Sequence, residues 1–438
     1  MRSVKLAALA AVGAAGLSAA SAQAEEITLC WAAWDPANAL VEMSKDFTAE
    51  TGIGMKFEFV PWPNFADRIL NELNSHGTLC DLLIGDSQWI GGGAENGHYV
   101  KLNDFFAANN ISMDDFAPAT VEGYSTWPKS TKNYWALPAM GDANGWFYRK
   151  DWFARPEIRE AFEKEYGRPL AEPKSQLELL DIARFFQGRE IDGKKVYGAA
   201  IFTERGSEGI TMGATGALYT FGFKYENTPG KYDMEGAVNS PDAVKGLEFY
   251  KDLYKCCTPP GYTNAYMEES LDAFKSGQVA MAMNWFAFFP GLYQDPNVGG
   301  DKIDFFVNPP QKVAASTLGG QGISVVAYSE KQDAALKYIK WFAQPAVQAK
   351  WWSLGGYSAH KSVLNDPGFV NSQPFAGDFL KAMDDVRDFW QEPAYAELLL
   401  AMQKRLHDYV VADVGTAQEA LDKLMEDWTE VFEDEGKL

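Results

Sequence analysis

The chain has 438 residues, 39 basic against 60 acidic side chains for a net charge of −21, and an aromatic content of 14%. That length exceeds what one ordinary core holds and points to two domains. The acidic excess repels nucleic acid and anionic lipid, so neither is an expected partner.

Arg2 and Lys5 precede an apolar run of small residues that ends in Ala22-Gln23-Ala24, so residues 1–24 read as a cleaved signal peptide. Gly13, Gly16 and Ser18 interrupt the run, which falls short of the roughly 18 to 20 apolar residues of a membrane span. No cysteine stands at the cleavage point to take a lipid. The exported protein is expected to start at Glu25 and to be free in a periplasm.

From Glu25 on, strand and helix patterns alternate. ITLCWAAW (27–34) reads as a buried strand, and Leu40, Met43 and Phe47 recur at helical spacing before Gly52 as a stop. MKFEFVP (55–61) alternates as a second strand. A helix follows that Asn64 can cap, with Phe65, Ile69 and Leu73 on one face and Gly77 ending it. CDLLIGD (80–86) is a third strand, and this order forces parallel pairing with right-handed crossovers. Ligands of such open sheets bind beyond the carboxyl ends of the strands, here Trp34-Asp35, Pro61-Trp62 and Asp86-Ser87-Gln88-Trp89. Further on, Asp192-Gly193 is a turn feeding KVYGAAIF, and Ser240-Pro241-Asp242 opens a helix with core face Val244, Leu247 and Tyr250. QVAMAMNWF (278–286) is a buried strand ending on Trp285, and Ser329 to Gln332 form a capping box before Ala335, Ile339 and Phe342.

The four histidines, His76, His98, His360 and His407, share no metal-ligand spacing, and the glycine-rich phosphate loops and the nucleophile elbow are absent. No metal and no cofactor is expected. A glycosidase needs only two carboxylates, so a secreted glycoside hydrolase stays open as an alternative. Four cysteines allow three pairings, and a bridge between the adjacent Cys256 and Cys257 would be strained. Among the tryptophans, Trp127, Trp135, Trp146, Trp152, Trp341, Trp351, Trp352, Trp390 and Trp428 read as packing. Trp34, Trp62, Trp89 and Trp285, at strand ends, read equally well as packing or as platforms for a flat ligand. A pyranose has an apolar face and a hydroxyl rim, and suits aromatic platforms combined with carboxylates and amides.

The segments DLLIGDSQW, KLNDFF, NYWALPAMGDANGWFYRKDWF, SPDAVKGLEFYKDLY, FKSGQVAMAMNWF, GGQGISVVAYSEKQDAALKYIKWFAQPAVQAKWW and GGYSAHKSVL, in this order, resemble the extracellular solute-binding proteins of ABC importers, the family of the maltose-binding receptors. Arg149 stands where that family usually has Asn. The resemblance implies an α/β, two-lobed periplasmic-binding-protein fold, each lobe a mostly parallel sheet flanked by helices, joined by a hinge crossed three times near Pro138, Val326 and Ser358. It divides the chain into an N-terminal lobe of residues 25–138 plus 327–357 and a C-terminal lobe of residues 139–326 plus 358–438. It implies ligand contacts from Trp34, Asp35, Trp62, Asp86, Gln88 and Trp89 on the first lobe. On the second it implies Asp142, Glu204, Arg205, Trp285 and Tyr395, with Gln321 at the hinge. Glu204 and Arg205 read equally well as a mutual surface ion pair. The expectation is a monomeric, non-enzymatic receptor that closes on a sugar or oligosaccharide and delivers it to the membrane permease subunits of an importer. A polyol, a quaternary amine or a sugar phosphate is the alternative ligand.

Overall fold

The computed structural model describes residues 25–438, so the expected signal peptide lies outside the described residues. Strands β1 (Glu26–Ala32), β2 (Gly54–Val60) and β3 (Leu82–Asp86) come first, then the long β4 (Leu137–Arg149). A short hairpin, β5 (Glu190–Ile191) and β6 (Lys194–Lys195), precedes β7 (Tyr197–Ala200), β8 (Val279–Trp285), β9 (Ile303–Val307), β10 (Ser316–Val325) and β11 (Val386–Arg387). Outside the hairpin these strands make one nine-stranded sheet in the order β2-β1-β3-β10-β4-β8-β7, with β9 also on β4 and β11 on β10.

The outer pairs β1–β2, β1–β3 and β7–β8 are parallel, as the alternating strand and helix pattern requires. The middle is antiparallel, because β10 returns from the far half of the sheet to lie between β3 and β4. Gln321 to Val325 pair with β3, Leu318 to Ile323 pair with β4, and Asn144 to Tyr148 of β4 pair with β8. Two strands therefore carry the backbone from one half of the molecule to the other. A bulge between Gln321 and Gly322 shifts the register where the neighbours change. Gly320 sits there at φ +100°, and a Cβ on it would stand 2.3 Å from the Met140 carbonyl oxygen, so only glycine fits. A third connection lies alongside, where the Gly141 N–H donates to the Tyr357 carbonyl at 2.7 Å.

Helices pack on both faces, and their starts follow local chemistry. Helix Asp35–Thr51 ends on Gly52 in the left-handed region. Helix Pro241–Cys257 is capped by Ser240 Oγ, which accepts from the Ala243 N–H at 3.2 Å, and it buries Leu247 and Tyr250 while Val244 is half-buried. Two expected caps fall elsewhere. Helix Trp62–Asn74 starts directly after Pro61, because Pro63 fits a first turn in which no N–H is needed; Asn64 is inside the helix. Before helix Gln332–Phe342, Ser329 Oγ instead donates to Asp81 Oδ1 at 2.6 Å and accepts from the Lys331 N–H at 3.0 Å. His76 rather than Gly77 takes the left-handed position after helix Trp62–Asn74, at φ 50°. Of the tryptophans expected to pack, all are buried except the half-buried Trp135.

The cysteines pair as Cys30–Cys80, closing a loop of 50 residues, and Cys256–Cys257. In the chain-entropy picture the first bridge removes far more freedom from the unfolded chain than the second, which closes no loop. Replacing Cys30 and Cys80 by Ala is expected to lower the unfolding free energy in denaturant melts by about 3 to 4 kcal/mol. The Cys256→Ala, Cys257→Ala double variant is expected to stay within about 1 kcal/mol of the parent.

Candidate functional site

The strand ends that face each other across the middle of the sheet enclose a cleft with three communicating parts. The innermost pocket is walled by Trp34, Trp62 and Trp285, by the carboxylates of Asp86, Asp142 and Glu208, and by the β10 backbone at Leu318 to Gln321. It holds about 30 Å³. Outward, between Trp34, Trp62, Glu204, Tyr266, Met267 and Phe288, it opens into a chamber of about 330 Å³. A side chamber of about 240 Å³ lies between Trp62, Glu208, Trp89, Tyr395 and Gln403. Trp62 lines all three.

The aromatic side of the cleft is a connected wall. The Trp34 and Trp62 rings lie 5.9 Å apart and tilted by 33°, and Phe288 meets the edge of Trp34 at 6.3 Å. Behind them Trp31 contacts Trp34 edge-on at 5.5 Å. Trp31 is wholly buried and donates its indole N–H to Gln321 Oε1, tying the first strand to β10. Trp285 is 7% exposed and lies flat against the hinge strand, where a Cβ on Gly319 would come within 2.7 Å of its ring.

Polar groups line the opposite side. Asp86 Oδ1 accepts from the Gln88 N–H at 3.1 Å and from Ser87 Oγ at 3.2 Å, yet burial pushes its carboxyl up to about 6. Asp142 Oδ1 accepts from the Ala143 and Ala287 N–H groups at 2.8 and 3.3 Å, and burial still raises its pKa well above the usual carboxylate range. Glu208 is raised likewise, first by burial and then by the charges of Asp86, Asp388 and Glu204. Behind Asp86, Asp388 is pushed up to about 7 by burial and by Asp86, against the opposing pull of Lys129. Five buried polar atoms of residues that line the cleft have no partner in the protein: Trp34 Nε1, Gln88 Oε1, Trp89 Nε1, Glu204 Oε2 and Tyr266 Oη. An unsatisfied buried polar atom costs about 1 to 3 kcal/mol, and these five are spread over the three parts of the cleft.

The residues singled out from the sequence fall into distinct places. Trp34, Trp62, Asp86, Gln88, Asp142, Trp285 and Gln321 line the innermost pocket together. Glu204 faces the outer chamber. Trp89 is 3% exposed, packs on Phe65 at 5.1 Å and reaches only the side chamber, which it shares with Tyr395. Asp35 opens helix Asp35–Thr51 and borders a separate groove beside Gly291, and Arg205 is exposed and lines none of the three parts. Sequence reasoning missed Glu208, Met212, Met267 and the bare backbone of Leu318 to Gly320. Ser207 and Glu208 both have positive φ, 40° and 75°, and this kink before helix Gly209–Phe221 directs Glu208 into the cleft. The only hint in the sequence was an acid directly before Gly209. Among the described residues no group of three or more His, Cys, Asp or Glu is arranged to hold a metal ion, and no helix is long and apolar enough to cross a membrane.

Comparison with known proteins accounts for this architecture. A probable amino-acid ABC transporter periplasmic-binding protein of Sinorhizobium fredii is 24% identical over 349 residues, 77% of this chain and 73% of that one. A solute-binding protein of Agrobacterium radiobacter K84 crystallised with ribitol superposes with a TM-score of 0.76 at 23% identity, covering 93% of this chain and 99% of that one. Maltose-bound MalE3 of T. maritima gives 0.77 at 22% identity, covering 93% and 100%. These likenesses establish the two-lobed periplasmic-binding-protein fold. The family model for bacterial extracellular solute-binding proteins matches residues 42–376, more than half of the chain, and the protein belongs to that family.

Proposed function

We propose that the protein is a periplasmic, non-enzymatic receptor that binds a polyhydroxylated solute, a sugar or polyol, in the cleft and hands it to the permease of an ABC importer. The lobes are residues 25–138 plus 327–357 and 139–326 plus 358–438. Residues 1–24 are the export signal. The observation that carries the reading is the innermost pocket, where the indoles of Trp34, Trp62 and Trp285 surround buried polar groups that the protein leaves unpaired. Flat apolar faces and a rim of hydroxyls complement such a site, the rings taking the C–H faces and Gln88, Asp86 and Asp142 taking the hydroxyls. The related proteins crystallised with ribitol and maltose support the same class of solute. A sugar phosphate is disfavoured, and so is the α-carboxylate of an amino acid, because no Lys, Arg or His lines any of the three parts.

The receptor works by closure. Trp34 and Asp86 belong to one half of the sheet and Trp285 and Glu208 to the other, so a ligand that touches both sets is held best with the halves together. The closed state is favoured only by contacts it alone makes. Side chains that merely exclude water contribute to the binding constant without selecting the solute.

A thermal-shift and calorimetric screen of hexoses, pentitols, hexitols and oligosaccharides tests the proposal. One class is expected to raise the melting temperature and to bind one molecule per chain without being consumed. Product formation in an oligosaccharide incubation would mean a hydrolase instead, and a screen without any stabilising sugar or polyol would contradict the ligand class.

Trp285→Ala separates a ligand platform from plain packing. Loss of stacking is expected to weaken binding by about 1 to 3 kcal/mol, by analogy with aromatic stacking on other flat ligands. Removal of a ring that is largely buried is expected to cost about 3 kcal/mol of stability as well. A destabilised variant with wild-type affinity per folded molecule, measured by titration calorimetry beside a denaturant melt, would assign the ring to the core alone.

A further inference from the structure

The charge of the cleft goes further than its shape. The three parts are lined by Asp67, Asp86, Asp142, Glu204, Glu208, Glu268 and Glu269 and by no basic side chain. Glu269 is occupied locally, accepting from the Tyr266 N–H at 2.9 Å at the start of helix Met267–Lys275. Asp86, Asp142 and Glu208 in the innermost pocket and Glu204 in the outer chamber have no cation beside them: what acts on them is burial, local N–H and hydroxyl donors and the charges of neighbouring acids.

Gln88 is 3% exposed, lines the innermost pocket, and leaves its Oε1 without a donor; the half-buried Glu204 leaves its Oε2 unpaired in the outer chamber. The unpartnered donors, Trp34 Nε1, Trp89 Nε1 and the Tyr266 hydroxyl, suit the hydroxyl oxygens of the same solute. A cavity lined by acids with no basic side chain and walled by aromatic rings is complementary to a positively charged group that carries N–H donors. An alkylammonium group has those properties, and the faces of Trp34 and Trp62 add cation–π attraction.

Resting on the polyhydroxylated-solute reading, we propose that the solute also carries a protonated amine, as an amino sugar or amino polyol does, and that Glu208 with Asp86 and Asp142 forms the seat of that ammonium. The hydroxyl-bearing remainder lies along the Trp34–Trp62 wall toward the outer chamber, which has the volume the innermost pocket lacks.

Matched pairs test this, each a neutral compound and its amino counterpart: glucose and glucosamine, sorbitol and 1-amino-1-deoxysorbitol, with N-acetylglucosamine as the uncharged control of similar size. Titration calorimetry at neutral pH is expected to give the amine of at least one pair an affinity roughly tenfold or more above its neutral twin and above the acetylated control. Glu208→Gln is expected to shrink that ratio, and a denaturant melt beside the titrations reports that the variant is folded. Amines that bind no better than their twins would overturn the inference and leave the sugar or polyol reading standing. A panel in which no member of any pair binds would overturn both.

Discussion

Everything about the cleft depends on the antiparallel pairing of β4 with β10. Leu318 to Ile323 hydrogen-bond to Leu137 to Ala143, while further residues of the same two strands bond to β3 on one side and β8 on the other. The backbone that carries the chain between halves is thus part of the sheet of each half. This keeps the halves in register and confines bending to a few residues where the neighbours change. The Gln321–Gly322 bulge and the positive φ of Gly320 lie at that point. A Cβ at Gly320 would also meet the Tyr124 hydroxyl at 2.4 Å, and that hydroxyl donates to the neighbouring Gly319 carbonyl. The tight approach leaves the β10 backbone bare on its cleft side, where it forms a wall of the innermost pocket.

From that constraint the chemistry of the cleft follows. Side chains at the carboxyl ends of β1, β3 and β8 all point toward the crossing, so apolar rings and acids from both halves meet over it. Burying acids without counter-ions is costly, and the raised pKa values of Asp86, Asp142 and Glu208 express that cost. A packing core would have replaced them with apolar side chains. Instead they line a pocket together with the unpaired Gln88 acceptor. The family assignment and the cleft point the same way, toward a protein whose work is capture and closure.

Much of this was legible in the sequence where local rules decide. The alternation of strand and helix over residues 27–86 fixed parallel pairing, and a strand ending on Trp285 followed from VAMAMNW being too short and too apolar for anything else. Trp34, Asp86, Gln88 and Trp285 could be singled out because strand ends in α/β sheets face the ligand. Sequence was mute where tertiary contact decides. Trp89 sits one residue beyond Gln88, yet the short helical turn Ser87–Trp89 rotates its ring back onto Phe65. Glu208 enters the cleft because two non-glycine residues adopt positive φ, which no propensity foretells. Ser329 satisfies Asp81, 248 residues away in the chain, and so gives up the cap its local sequence offers.

Closure of the cleft is the central claim, and small-angle scattering on the exported protein with and without saturating ligand tests it most directly. Rigid-body rotation about the β4–β10 crossing predicts a smaller radius of gyration with ligand and an unchanged far-UV circular dichroism spectrum. Superimposable scattering curves at saturation would contradict the account.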